Sequence, residues 1–380
     1  MQNIQDILQK LISFKTTADR PEEIKKGFEY IASLFDLEKF DVQIFEKNGK
    51  YSLLISFKGK DALRPKILLN GHFDVVPAES EDQFEMKVEG TKAYGRGTAD
   101  MKGMAAVLIE VMLELGKSFD SAQDKQPPDV ALLLNGDEEI GGGNGAGYCV
   151  KELGLHPSFV LCADGSHEDP DIVIKHKGAV WIELSAKGKT AHGAYVWKGE
   201  NAIDKLMIAI NKIKDWIGPV EAGAWKTTIN VAVIETSNKT PNKVPSDAKA
   251  VLDIRFTEEF AQTPEELVEK ISSLVPEVEV TAFEKGPMLF REDFANGQNA
   301  FLREFKQVAD QVWGKPLSLQ YGHGSTDARY FSEAGVPAVI FGAVGRNWHA
   351  EGEWVDLESL EKNKEILLKF LSSLPRRSRP

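Results

Sequence analysis

Three short apolar runs, Ile67 to Leu69, Val130 to Leu134 and Phe159 to Ala163, are continuous rather than alternating, the pattern of parallel strands covered on both faces. Helical patterns separate them, as in GMAAVLIEVMLELG after Asp100. Strand and helix in alternation predict an α/β domain built on a largely parallel sheet flanked by helices. A fourth run, AVIFGAV at 338–344, lies far downstream and precedes the helical stretch LESLEKNKEILLKFLSSL. At the start of the chain, Ile4, Ile7, Leu8, Leu11 and Ile12 fall at helical spacing with polar residues between them, which predicts an amphipathic first helix and not a signal peptide.

Between about 179 and 285 the pattern changes to clean alternation. Val180, Ile182, Leu184 and Ala186 make one set, Ile229, Val231 and Val233 a second, Ala250, Leu252, Ile254 and Phe256 a third, and Val278, Val280 and Ala282 a fourth. Each reads as a sheet with one buried face. Two helices interleave. One carries Ile203, Leu206, Met207, Ile210, Ile213 and Ile217; the other opens with TPEE, where Thr263 caps, Pro264 suits the first helical position and Glu266 completes a capping box. The order βαββαβ is a split unit that packs two helices on one antiparallel sheet. The expected organisation is therefore a discontinuous domain, 1–178 with 287–380, and a ferredoxin-like insert at 179–286. The segment SFDSAQDKQPPD at 118–129 reads as a solvated loop and the terminal PRRSRP as a frayed tail.

Composition narrows the function. With Lys+Arg 46 and Asp+Glu 58 the net charge is −12, which repels phosphate backbones and acidic lipid and argues against nucleic acid as a partner. No run of about 18 apolar residues is present to span a bilayer. Two cysteines, Cys149 and Cys162, offer neither zinc-finger spacing nor a disulfide framework, so a reducing cytoplasm is the expected compartment.

Polar residues gather just beyond the predicted strand ends: His72 and Asp74 after the first run, Asp137, Glu138 and Glu139 after the second, Asp164 after the third. In an open parallel sheet that edge forms the ligand crevice. Carboxylates crowded there repel one another unless a cation gathers them. In GHFDV, His72 can ligate through one nitrogen while Asp74, on the same side of the strand, steadies the imidazole. Asp100 sits in the glycine-flanked loop YGRGTADMKG, where an N-cap role is the plain alternative. His349, in NWHAEGEWV, follows the last sheet strand.

In this order, the motifs GHFDVVP, GRGTADMKG, DEE, Asp164, AHGA, GSTDAR and His349 resemble the co-catalytic dizinc amidohydrolases, the family of acetylornithine deacetylase, succinyl-diaminopimelate desuccinylase, aminoacylase, carboxypeptidase G and several dipeptidases. The resemblance covers nearly the whole chain. It implies a zinc-exopeptidase type of sheet with an inserted lid and dimerisation domain, and hydrolysis of the amide bond of a small N-acyl amino acid, or else dipeptidase or carboxypeptidase activity. It also implies two divalent ions, zinc first and cobalt or manganese otherwise, one held by His72 and Asp164, the other by Glu139 and His349, with Asp100 between them. A hydroxide bridging the ions would attack, with Glu138 as general base and Asp74 in support. A cis peptide between Asp100 and Met101 is a further implication. His192, in KTAHGA, resembles the lid histidine that stabilises the oxyanion, often across a homodimer. Arg255 and Asn242 are implied to grip a substrate carboxylate, and Gly324 and Ser325 to contact substrate.

One departure bears on substrate. The third strand is followed by ADGS, with Asp164, where the acetylornithine and succinyl-diaminopimelate branches usually have Glu then Pro; aspartate is common in the dipeptidase and tripeptidase branches. Two other classes of function answer to single features of the chain. Gly141, Gly143 and Ala146 form a GxGxxA pattern after a strand, the mark of a dinucleotide site, but the glutamates beside it would repel a pyrophosphate. A binding protein that had lost its chemistry would not need Glu138 together with every expected ligand.

Overall fold

The computed structural model describes residues 3–120, 127–165, 167–295 and 297–374. Residues 121–126, half of the loop expected at 118–129, and all of PRRSRP lie outside them; 118–120, expected as loop, instead end the helix Gly103–Asp120. The chain divides into two compact units, one made of 1–175, 290–320 and 326–380, the other of 176–289 and 321–325.

The first unit is built on an eight-stranded sheet. Its order is Phe40–Lys47, Lys50–Phe57, Val130–Asn135, Ile67–His72, Phe159–Cys162, Ala338–Phe341, Asp171–His176 and Ser318–Gly322. The four central strands are the four apolar runs, and they run parallel. Antiparallel partners flank them. Every residue of the Ile67–His72 and Val130–Asn135 strands is buried, which is why these runs carry no alternation. Each large apolar side chain removed from water contributes about 1.5–3 kcal/mol.

Helices complete the core. Ile4–Ile12 begins with a reciprocal cap: Asp6 N donates to Asn3 Oδ1 at 2.9 Å, and Asn3 N donates to Asp6 at 3.3 Å. Its five predicted apolar residues are all buried. The helix Gly103–Asp120 opens on a glycine, where a Cβ would strike the carbonyl oxygen of Thr98. Where the helix Ile4–Ile12 ends, Lys102 is fully buried and donates to the carbonyls of Leu11 at 3.0 Å and Phe14 at 2.7 Å. Those acceptors satisfy a charge that would otherwise be costly to bury; burial lowers the amine to about 7.

The second unit has the element order βαββαβ. Its four antiparallel strands are ordered Thr228–Glu235, Asp247–Phe256, Gly178–Lys187 and Glu279–Gly286. Val180, Ile182 and Leu184 with Ala250, Leu252, Ile254 and Phe256 are buried, as are Leu206, Ala209, Ile210 and Ile213 of the helix Ala202–Ile217 and Leu267 and Ile271 of Pro264–Leu274. Thr263 caps the second helix by accepting from Glu266 N at 3.2 Å. The buried stripe of the first helix departs from expectation: Ala202 and Ala209 are inside, whereas Met207 is 53% exposed. The buried stripe runs through Ala202, Leu206, Ala209, Ile210 and Ile213, and Met207 lies off it toward solvent. The strand Thr228–Glu235 is an edge with a register shift between Val231 and Val233, so Val233 lies in the open and not on a buried face.

Candidate metal centre

The site lies in the first unit, where the parallel strands end. His72 is the last residue of its strand and is 1% exposed. Its Nδ1 faces the main-chain oxygen of Asp74 at 3.0 Å. A carbonyl only accepts, so it keeps the ring proton on Nδ1 and turns Nε2 toward the carboxylates. Nε2 lies 3.0 Å from Asp100 Oδ1 and 3.6 Å from Asp164 Oδ1. On the other side, His349 Nε2 lies 3.2 Å from Asp100 Oδ2 and 3.1 Å from Glu139 Oε2.

Two three-residue groups result, His72, Asp100 and Asp164, and Asp100, Glu139 and His349. Within each, the ligand atoms all lie within 4.8 Å of one another. Asp100 belongs to both and offers one oxygen to each. The plain N-cap alternative does not apply: its side chain meets the two imidazoles and the helix starts three residues later, at Gly103. The Asp100–Met101 peptide is cis.

The charges show what the groups are suited to hold. Among the described residues, Asp100, Glu139 and Asp164 form their ion pairs with these two histidines. Burial alone would lower the His72 imidazole, yet Asp164 and Asp100 outweigh it and hold the ring well above its ordinary value. Hydrogen bonds to Asp100 and Glu139 raise His349 to about 10. Asp100 is lowered despite its burial, because His349 and His72 face it. Burial raises Asp164 and Glu139. The shifts share one cause: acidic oxygens and imidazole nitrogens face one another out of water, an arrangement that favours positive charge between them. Three carboxylates and two imidazoles without sulfur are the donor set that divalent zinc, cobalt or manganese accept, so the residues fit a pair of such ions.

Glu138 stands beside the groups without joining either. Burial, then the negative charge of Asp164, raise its carboxyl well above the ordinary range. Its main chain is fixed by Asp74, whose Oδ1 accepts from Glu138 N at 3.2 Å and whose Oδ2 accepts from Glu139 N at 3.0 Å. The Asp74 carboxylate was expected to steady the imidazole. It lies 3.5 Å from His72 Nδ1, beyond a normal hydrogen bond, and its two oxygens go to the backbone of the DEE segment.

The GSTDAR segment buttresses the same loop. Arg329 and the Tyr330 hydroxyl both donate to Gly141 O at 2.5 Å, and Asn135 Nδ2 donates to Asp327 Oδ2 at 2.8 Å. Sequence reasoning passed over Arg329 and Tyr330; a buried arginine beside a tyrosine in a short helix carries no period that marks it. Glu353 was also missed, although it lies in the segment NWHAEGEWV that supplies His349.

The remaining candidates belong to the second unit. His192 is exposed, and its Nδ1 accepts from Ala194 N at 3.1 Å. Gly193 N donates to Asn242 O at 2.7 Å, and His192 bridges to Lys243, so His192 and Asn242 lie together. The Arg255 guanidinium is engaged by Asp253, Nε to Oδ1 at 2.8 Å and a terminal nitrogen to Oδ2 at 3.2 Å. Asp253 precedes it by two on the strand and so shares its face. Gly324 and Ser325 follow the strand Ser318–Gly322; Gly324 is exposed, with open space around it.

Comparison with known proteins gives concordant results. Residues 68–373 match the sequence model of peptidase family M20/M25/M40. A succinyl-diaminopimelate desuccinylase of Rickettsia africae is 25% identical over 387 residues, covering 97% of this chain and 98% of that protein. The M20 family metallo-carboxypeptidase Sso-CP2 from Sulfolobus solfataricus superposes with a TM-score of 0.75 at 19% identity, covering 98% of this chain and 99% of that one. YXEP of Bacillus subtilis, described as a dinuclear metal binding peptidase, superposes with a TM-score of 0.67 at 16% identity, with 98% of both chains covered.

Proposed function

The chain belongs to peptidase family M20/M25/M40 and is a hydrolase of amide or peptide bonds, and from that premise we propose that it removes the acyl group from a small N-acyl amino acid with the help of two divalent ions, zinc in the first instance. The observation that carries the reading is the pair of ligand groups joined through Asp100. Desuccinylase relatives aligned over nearly the full length support the deacylase assignment.

His72, Asp164 and Asp100 would hold one ion, and Glu139, His349 and Asp100 the other. When bound, the ions supply Lewis acidity, polarising the amide carbonyl and making water acidic enough to lose a proton near neutral pH. The protein's own groups do the rest. Glu138 takes the proton from the attacking water as oxygen adds to the carbonyl carbon, then returns it to the amide nitrogen as the C–N bond breaks, releasing a carboxylate and an amine. Asp74 keeps Glu138 in place through the backbone. His192 donates to the developing oxyanion, and Asn242, Arg255, Gly324 and Ser325 position the substrate. Since Arg255 already holds Asp253, a substrate carboxylate would join that pair or displace one of its contacts.

A homodimer formed through the second unit is part of the proposal, supported by the edge strand that leaves Val233 and Ile234 exposed. Cytoplasmic placement is supported by Cys149 and Cys162, both buried and free. Among the described residues no helix is long and apolar enough to cross a membrane.

Dipeptide hydrolysis is the second reading, favoured by Asp164 where the deacylase branches usually carry glutamate. The deciding experiment is turnover of acetylornithine, succinyl-diaminopimelate, other N-acyl amino acids and unblocked dipeptides by metal-reconstituted enzyme. Preference for blocked substrates supports deacylation; preference for free dipeptides overturns it.

A further inference from the structure

We propose that Glu353 is a positioning residue that holds Asp100 and His349 in one frame, so that the two metal groups form or fail together; the inference rests on the two-ion reading above. Asp100 directs both carboxylate oxygens at imidazoles, and its loop is held through backbone amides instead.

Glu353 holds them. It is 3% exposed, and both its oxygens are doubly used. Oε1 accepts from Ala99 N at 2.9 Å and Asp100 N at 3.0 Å; Oε2 accepts from Gly97 N at 2.9 Å and the Arg96 guanidinium at 2.7 Å. Gly97 has φ 86°, a left-handed turn that glycine adopts without strain and that curls successive amides around one carboxylate. The main chain adds to the grip: Gly95 N donates to Glu353 O at 3.1 Å, and Trp354 pairs with Tyr94. His349 lies four residues upstream in a turn closed by Ala350 N donating to Asn347 O at 3.1 Å and Asn347 Nδ2 donating to Gly352 O at 3.1 Å. One carboxylate therefore fastens the loop that carries the shared ligand to the turn that carries a ligand of the second ion. Burying a charge is costly even when paired, so packing alone does not account for a glutamate here.

The test is titration of zinc, and separately cobalt, into chelator-stripped wild type, Glu353→Gln and Glu353→Asp, with thermal melting of each metal-free protein. Gln puts an NH2 group against amide donors; Asp keeps the charge and shortens the reach. Both ion affinities are expected to fall by about tenfold or more, the effect usual for partners that orient metal ligands, in variants that still melt cooperatively, and the visible cobalt spectrum should change. Affinities within about twofold of wild type, or weakening of one ion alone, would overturn the proposal. Should Glu353→Gln not fold, Glu353→Asp is read by the same criteria. Wild type that takes up fewer than two ions sinks the two-ion reading and this one with it.

Discussion

Asp74 and Glu138 meet through a carboxylate and a backbone amide, Oδ1 accepting from Glu138 N at 3.2 Å, while the other Asp74 oxygen takes Glu139 N at 3.0 Å. One fully buried side chain thus sets the direction of the proposed base and of a proposed metal ligand. Replacing Asp74 with Asn leaves one good acceptor for two donors. Asp74→Asn should lower kcat about 10- to 100-fold with KM little changed. Steady-state kinetics at saturating metal checks it; unaltered kcat would show that the clamp has no bearing on catalysis.

Glu138 lies outside both ligand groups, so its chemistry and metal binding should separate. Glu138→Gln keeps shape and loses the ability to carry a proton. Turnover should fall about 10²- to 10⁴-fold while metal content by elemental analysis stays at the wild-type level. Equal turnover would remove Glu138 as the base.

Much of this was legible in the chain. The four apolar runs became the four parallel strands, and His72, Asp100, Glu139, Asp164 and His349 lie together because the sheet delivers His72, Glu139 and Asp164 at one edge. Residues whose role depends on distant backbone were not legible. Glu353 contacts Gly97, Ala99 and Asp100 from more than 250 positions away, and nothing in a glutamate's neighbours tells which amides will surround it. Asp253 beside Arg255 is a different case: its spacing of two on one strand face was readable, and it changes what the guanidinium is free to do. Met207 is a further case: the buried stripe of its helix runs through Ala202 and Ala209, small residues that a hydrophobic pattern weighs lightly, and Met207 lies beside it in the open.

Asp327 ties stability to pH. Burial raises its carboxyl to about 8, against 3.8 in the unfolded chain. Between those values the folded state binds the proton and the unfolded state does not, so its contribution is fully present below pH 3.8 and is lost as pH rises through 8. Asp327→Asn should therefore gain stability relative to wild type on going from pH 5 to 8, by at most about 1.4 kcal/mol per unit. Urea unfolding at several pH values checks the slope, and a difference independent of pH would contradict it.

Burial pushes the Cys149 thiol up to about 12 and raises Cys162 as well. Reactive thiolate is scarce in the folded protein. A colorimetric thiol reagent at pH 8 should report essentially no fast-reacting cysteine in native protein and two after denaturation. Rapid native labelling would mean that either site opens to solvent.

The central claim is that one shared carboxylate assembles a two-ion hydrolytic site. Its most direct test counts metal and activity on the same sample: chelator-stripped protein is reconstituted with zinc, bound metal is measured per chain, and release of amine from an N-acyl amino acid and from a dipeptide is followed. The account predicts two ions per chain, hydrolysis abolished by stripping and restored on reconstitution. Hydrolysis that persists without metal, or full activity with a single ion bound per chain, would contradict it.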